Sequence, residues 1–541
     1  MAANEAANAS VRVAVVNKGA IQRTGATIMA PGGLAAVGSW KAAQDSPELH
    51  MEDTIKGGAY LNNQEMVRVL TREAADMVLE LESIGAIFQR EPDGKKFALI
   101  SDSGHSHFRS NFLDDRTGKE MLKALTGGLR KLHVPFFENV MITRLLIRNG
   151  TVAGAVGVHT HTLEPVLFEC GALILATGGA GALFDNNDNS VDLTGDGYAL
   201  ALGAGARLRD MEFVQFLPTG FLFPPSIKGM MGGMAYYGRL YNQEGERFMQ
   251  RYDPVRMEKS TRDVISQAIM REVREGRGTS RGGVYLDYTY EKPDTVANLP
   301  AVATIYKNLG INPQTDRIEV APTVHFFMGG LDVNTQWAGS VPGLYGAGEA
   351  CGGMHGANRL SQNALAELLV SGRIAGKSAA CYSEENQREP IDPSEASQEL
   401  EAVRQMLKPD KGISPLAQRA RIKEVMWRDA GVLRSGKSLE RALAEIEEIE
   451  KQPVMIAQKN TYMNKSVMQA LENRSLLLTA KVVIQSAFER KESRGAHCRE
   501  DYPDMDNRDH LYNVLTYMGN DRIIEISRRP VEPVYIRPKE E

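Results

Sequence analysis

Apolar positions along the chain switch between a period of two and a period near 3.6, and the switches mark out its elements. Residues 11–16, VRVAVV, are β-branched and apolar, a pattern that predicts a parallel strand covered on both faces. The stretch LNNQEMVRVLTREAADMVLELESIG has the spacing of an amphipathic helix and stops at Gly85. Strand character returns in ITRLLIRNGTVAGAVGVHTHTLEPVLFECGALILATGG, with Asn149-Gly150 as its turn and glycines closing the last strand. From about residue 218 to 320 the texture becomes aromatic and rich in Gly and Pro around one helix. For that helix Asp253 is the predicted N-cap, Pro254 the first helical residue, and Gly276 the residue after the last turn. Then come the glycine-rich strand GLYGAGEACGG and the helix NALAELLVSGRIAGKSAACYSEE. Beyond a polar linker around 386–397 the rest reads as mostly helical, with ERALAEIEEIEKQ as a charged amphipathic helix. The alternation predicts an α/β layer fold: two sequence-separated stretches form one domain, interrupted by an insertion and followed by a helical tail.

Composition narrows the function classes. With 63 Lys+Arg against 68 Asp+Glu the 541-residue chain carries a net charge of −5, so there is no basic field for a nucleic-acid backbone. No apolar run approaches the roughly 18 residues that a membrane-spanning helix needs. Four cysteines, Cys170, Cys351, Cys381 and Cys498, lie far apart without a CxxC pair, which argues against disulfides or an iron–sulfur cluster in this chain and for a reducing, cytoplasmic setting.

Two glycine-rich strand ends can take a dinucleotide: LILATGGAG with Thr194-Gly-Asp-Gly197, and LYGAGEA with HGANRLSQNAL. Such turns admit a close backbone approach, and a following helix N-terminus favours negative charge. On the predicted helix Glu258 and Arg262 stand four apart, so they share a face and can form a charged pair, which is either a solvated helix salt bridge or a pair that relays a proton inward. The segment DNNDNSVD lacks the glycine and closing Glu of a calcium loop, and the pairs His105/His107 and His159/His161 lack further ligands for zinc. The 23 methionines are scattered and read as core filler.

The segments GATIMAPGG, HSHFRSNFLDDRTGKEML, ATGGAG with TGDG, NQEGERFMQRYDP, TRDVISQAI, PTVHFFMGG, GLYGAGEACGGMHGANRL and ERKESRGAHCREDYP occur in one order along nearly the whole chain. In these the sequence resembles the flavoprotein subunit of the succinate dehydrogenase/fumarate reductase family, which also holds L-aspartate oxidase. The resemblance implies a Rossmann-like FAD-binding domain (1–217 and 323–385), an inserted α+β capping domain (218–322) and a C-terminal helical domain (396–541). It implies hydride transfer between FAD and a carbon–carbon bond of a small carboxylic acid. Arg262 matches the family's proton donor, and Glu258 is read as its partner. His325 and Arg359 match residues that hold a substrate carboxylate. Glu349 matches the contact to the flavin's sugar-like chain, and the helix opening Asn363-Ala364-Leu365 points its positive end at the flavin ring. Asn17, Lys18, Thr24, Gly25, Ala26, Thr27, Gly32, Gly33, Ala176, Thr177, Gly178 and Asp196 complete the implied FAD contacts. The implied partner is an iron–sulfur electron-transfer subunit, through which any membrane association would come. The alternatives are an L-aspartate oxidase and an FAD-deficient, non-catalytic remnant.

The sequence departs from the family pattern in three places. Ala26 stands where members that bond FAD covalently have a histidine, so the FAD is expected to be non-covalent. Leu217 replaces the histidine of QFHPTG, and Met230 and Met231 fall near a Thr-Glu pair that grips a second carboxylate. Either Arg239, Tyr236 or Tyr237 supplies that grip, or the substrate is less polar at that end, or the loop aligns a few residues differently. Finally, MAANEAANAS resembles the helix that follows the family's first strand and GxGxxG turn. The expectation is that these lie upstream of Met1, or that the copy is damaged, and that the chain as given holds FAD poorly.

Overall fold

A computed structural model describes residues 1–100, 104–291 and 300–538. The two sequence-separated α/β stretches meet where strand Leu173–Leu175 pairs in parallel with Leu344–Gly346. The helix Asn363–Glu385 runs through the centre, burying Leu365, Ala366, Leu369, Val370, Ala375 and Ala379. Against it pack the helix Gln64–Ser83 and the opening helix Ala2–Asn8. The opening helix fits only because Gly376 has no side chain, since a Cβ there would collide with the Ala2 carbonyl.

The local signals in the sequence are readable in the structure. Asn63 caps Gln64–Ser83 by accepting from the Met66 N–H at 3.3 Å. Asn149 and Gly150, with φ of 51° and 77°, turn the hairpin between Val140–Arg148 and Thr151–His159, as a primed turn requires. Of VRVAVV, only Val15–Val16 pairs, in parallel with Phe136–Phe137. That strand is half-buried rather than covered on both faces, because Arg12 and Ala14 face solvent.

The insertion is a four-stranded antiparallel sheet ordered Val214–Phe221, Ile318–Phe327, Val284–Asp287, Arg239–Tyr241. The helix Arg262–Arg274 packs across it over a separate core that includes Leu240, Phe248, Ile265, Ile269, Leu286 and Val320. Both expected boundaries of the insertion, after 217 and after 322, lie inside the two long strands, which continue into the surrounding domain. The helix starts at Arg262 and not at Pro254. Asp253 instead ends the short helix Met249–Tyr252 and accepts from the Arg256 N–H at 3.0 Å. Met257 then takes φ +53°, a left-handed conformation that no helix continues through.

The tail is helical only as far as Glu489. Tyr512–Met518 and Ile524–Pro530 form an antiparallel pair that extends the sheet containing Leu208–Arg209, Gly330–Asp332 and Cys351–Gly352. The tail is thus not a wholly helical unit, and the alternation Ile524-Glu-Ile526-Ser is its strand signal. Among the described residues no helix is long and apolar enough to cross a membrane, and no group of His, Cys, Asp and Glu could hold a metal ion. Residues 292–299 of the insertion and 539–541 of the tail lie outside the described residues.

Candidate active site and cofactor cradle

Three elements converge at Gln215, a fully buried residue on strand Val214–Phe221. Its amide nitrogen donates to Asn358 Oδ1 at 2.8 Å and to the Arg359 carbonyl at 2.7 Å, which fixes the direction of its oxygen. Gln215 Oε1 accepts from Arg359 Nη2 at 3.0 Å and from Arg262 Nη1 at 3.3 Å. Arg262, the first residue of its helix, also donates to Ser361 Oγ at 2.8 Å. Arg359 is 5% exposed and stacks over the Phe326 ring at 4.6 Å. The acceptors Gln215 and Ser361 are both uncharged, so these contacts orient the two neighbouring guanidiniums without neutralising them, an arrangement that can take a carboxylate.

His325 adds a third side. Strand Ile318–Phe327 places it, and its Nδ1 lies 2.8 Å from Asp188 Oδ2. Burial pushes the imidazole below its usual value against the pull of Asp188, and the charges of Arg262 and Arg359 push the same way. Glu258, in contrast, does not pair with Arg262. It is 3% exposed, accepts from Arg247 Nε at 2.9 Å and Nη2 at 2.6 Å, and takes the Leu240 N–H at 3.0 Å. The break at Met257 puts it on a separate turn, Met257–Lys259, which removes the four-residue helical spacing. Nor does Arg239 turn to the arginine pair: its guanidinium stacks on Tyr290 at 4.2 Å. Leu217 is buried, cross-strand from Thr323, while Met230 is 36% exposed beside the turn that pairs Met231 with Gly220.

The implied FAD contacts lie around the ends of the parallel pair. Ala176 and Thr177, just beyond Leu173–Leu175, are exposed while the strand's Leu175 is buried, and Gly178 takes φ +71°. Glu349 Oε1 accepts from the Phe327 N–H at 3.0 Å, and burial pushes its carboxyl up to about 7. The absence of a side chain at Gly179 leaves room for that carboxylate. Asn363 opens its helix, with Oδ1 2.8 Å from His50 Nε2 and Nδ2 donating to Thr54 Oγ1 at 3.1 Å. Its N-cap Gln362 has φ +67° and gives no side-chain cap, so Ala364 and Leu365 follow in a first turn whose dipole favours a negative ligand. Gly32 lies against the Gln362 side chain, and Gly33 against the Asn111 carbonyl.

At the front, Asn17 donates to the Gly19 carbonyl at 2.9 Å and to Thr24 Oγ1 at 3.0 Å. Lys18 pairs with Asp196 at 2.7 Å and with Glu472 at 3.0 Å. Gly25 N–H meets Asp192 Oδ2 at 3.1 Å, and Ala26 precedes the single turn Thr27–Met29. His105 braces the site by reaching the Ser361 carbonyl at 2.6 Å. Residues that composition and spacing did not single out are Gln215, Ser361, His50 and Asp188; the last sits in the acidic segment dismissed as a calcium loop.

The exposed strand end, the Glu349 carboxylate on its glycine notch and the uncapped helix N-terminus form a cradle whose donors suit a dinucleotide. With the arginine pair beside it, the arrangement suits a dinucleotide next to a small carboxylic acid. A model described as an FAD binding domain matches residues 1–365, and one described as the fumarate reductase flavoprotein C-terminus matches residues 419–541. The chain is 40% identical over 499 residues to one subunit of the CoM/CoB fumarate reductase of Methanothermobacter marburgensis, covering 91% of this chain and 90% of the relative. It is 35% identical to the fumarate reductase flavoprotein subunit of Mycobacterium tuberculosis, covering 97% and 93%. Its fold matches the E. coli quinol fumarate reductase FrdA with a TM-score of 0.92 at 29% identity, covering 100% and 96%. The chain belongs to the fumarate reductase/succinate dehydrogenase flavoprotein subunit family, FAD-dependent oxidoreductases acting on CH–CH bonds.

Proposed function

We propose that the chain is the catalytic flavoprotein of a fumarate-reductase-like or succinate-dehydrogenase-like enzyme acting on a small carboxylic acid, with Arg262 as proton donor. The observation that carries this reading is the convergence of Arg262 and Arg359 on the single uncharged acceptor Gln215. Arg359 and His325 hold the substrate carboxylate, while Gln215 and Ser361 fix the Arg262 guanidinium by its two terminal nitrogens. Arg262 acts by position: its guanidinium delivers a proton to one carbon of the C=C bond and is reprotonated from water, and in the reverse direction it must first lose its own proton to water before taking one from the substrate. FAD, held by the Glu349, Gly178 and Asn363 regions, supplies or accepts the hydride at the adjacent carbon. Electrons reach or leave the flavin through an iron–sulfur partner, as the multi-subunit names of the relatives favour. In this reading the protein is cytoplasmic, and peripheral to a membrane only through its partners.

The test is anaerobic, dye-linked turnover with fumarate and with monocarboxylic enoates such as crotonate. The holoenzyme is expected to turn over and Arg262→Ala to lose activity while keeping its flavin absorbance; turnover retained in the variant removes Arg262 from the mechanism. Hydrogen peroxide formed from aspartate in air would instead identify an L-aspartate oxidase.

A further inference from the structure

His325 is gripped from behind by one loop. The backbone of Asn186–Asp188 runs beside Val324, with Val324 N–H donating to the Asn186 carbonyl at 3.0 Å and Asp188 N–H to the Val324 carbonyl at 3.1 Å. Asn189 Nδ2 reaches Asp188 Oδ1 at 2.8 Å and the His325 carbonyl at 3.1 Å. These bonds hold Asp188 Oδ2 at 2.8 Å from His325 Nδ1. A carboxylate oxygen only accepts, so Nδ1 carries the proton and the neutral ring presents a bare lone pair at Nε2, on its opposite edge.

We propose that Asp188 is a positioning residue that keeps the His325 proton on Nδ1, so that a carboxylate ligand entering between His325, Arg262 and Arg359 binds together with one proton taken up at Nε2. This rests on the carboxylate-binding role given to the site above. The reasoning is electrostatic. A lone pair facing an anion repels it, whereas an imidazolium N–H donates to it, and Asp188 behind the ring stabilises the imidazolium once formed. The charged groups around His325 are Asp188 from the loop, Arg262 from its helix and Arg359 from the segment before the Asn363 helix, with Glu349, whose carboxyl burial pushes up to about 7, next to Asp188 and Arg359; the His325→Gln variant separates its titration from that of the ring. In the free protein burial and the two guanidiniums push the ring below its usual value, against Asp188, and so favour its neutral form. An arriving carboxylate offsets the guanidiniums and tips the ring to its charged form.

Titration calorimetry on the FAD-loaded protein, with crotonate and with fumarate as probes, tests this at pH 6 to 8 in phosphate and in Tris. The expected result is a binding heat that differs between buffers by the uptake of up to one proton. The Kd should weaken by up to about tenfold per pH unit on the alkaline side. Asp188→Asn keeps an acceptor for Nδ1–H but removes the charge, and should move that alkaline weakening about one unit lower in pH. Asp188→Ala should move it at least as far, and His325→Gln should abolish the uptake. Binding with equal heats in the two buffers and a flat Kd overturns the proposal and leaves the carboxylate site standing. An Asp188→Asn profile identical to the parent also overturns it. If neither probe binds, both readings fall.

Discussion

Gln215 Oε1 accepts a hydrogen bond from Arg359 Nη2 at 3.0 Å, and these two residues sit 144 positions apart in the chain. The same oxygen takes Arg262 Nη1 at 3.3 Å, so one neutral amide spaces two like charges. Gln215→Ala removes the acceptor that the two guanidiniums share, leaving Arg262 on Ser361 and nothing that ties it to Arg359 through Gln215. The expected outcome is a fall in kcat/KM on the order of 100-fold, since small misplacements of positioned groups cost about that much. Gln215→Glu should act differently: its carboxylate pairs with both arginines and competes with the substrate's, raising KM more than it lowers kcat. A Gln215→Ala enzyme with unchanged kcat/KM would show that the amide does not position the pair.

Glu258 gives a contrasting prediction. Its bonds go to Arg247 and to the Leu240 N–H, within the inserted sheet and away from Arg262. Glu258→Gln weakens a buried, charge-assisted contact worth about 1–3 kcal/mol, discounted because Arg247 is partly exposed. A lowered Tm with near-parental dye-linked turnover is expected. A loss of turnover without loss of stability would return Glu258 to the proton path.

These two residues also show what the sequence could and could not disclose. Short-range chemistry was legible: the Asn63 cap, the Asn149-Gly150 turn and the glycines of ATGGAG act over a few residues. Arg262, His325 and Arg359 were singled out by motif resemblance, and the structure brings them near one another. Gln215 was not, because a glutamine in an apolar strand has no periodic signature and its partners lie 47 and 144 residues away. The Glu258–Arg262 pairing failed for a local reason, the positive φ of Met257, which no propensity of methionine announces. The first strand of the tail's closing hairpin was missed because Tyr512–Thr516 are buried on both faces, which hides the period of two.

Ala26 decides how FAD is held. It stands beside the turn Thr27–Met29, with neighbouring Gly25 bonded to Asp192, and its methyl offers no nucleophile to the isoalloxazine ring. The FAD is therefore expected to leave on denaturation, giving no fluorescent protein band on a denaturing gel. Fluorescence that stays with the band would mean that another side chain forms the bond.

Leu217 bears on the choice of substrate. It lies two residues along the strand from Gln215, about 7 Å at the usual rise per residue, beside the arginine pair proposed to take the first carboxylate. It is 3% exposed, and cross-strand from it the Thr323 hydroxyl is buried without a hydrogen-bond partner. One neutral hydroxyl beside an aliphatic side chain does not repay the desolvation of a second carboxylate. The parent enzyme is thus expected to favour a monocarboxylic enoate over fumarate. Leu217→His supplies a donor next to Thr323, and should raise the ratio of kcat/KM for fumarate to that for crotonate by about tenfold or more. Measuring both substrates on both proteins settles the point: a ratio that does not move places the far end of the substrate somewhere other than against Leu217.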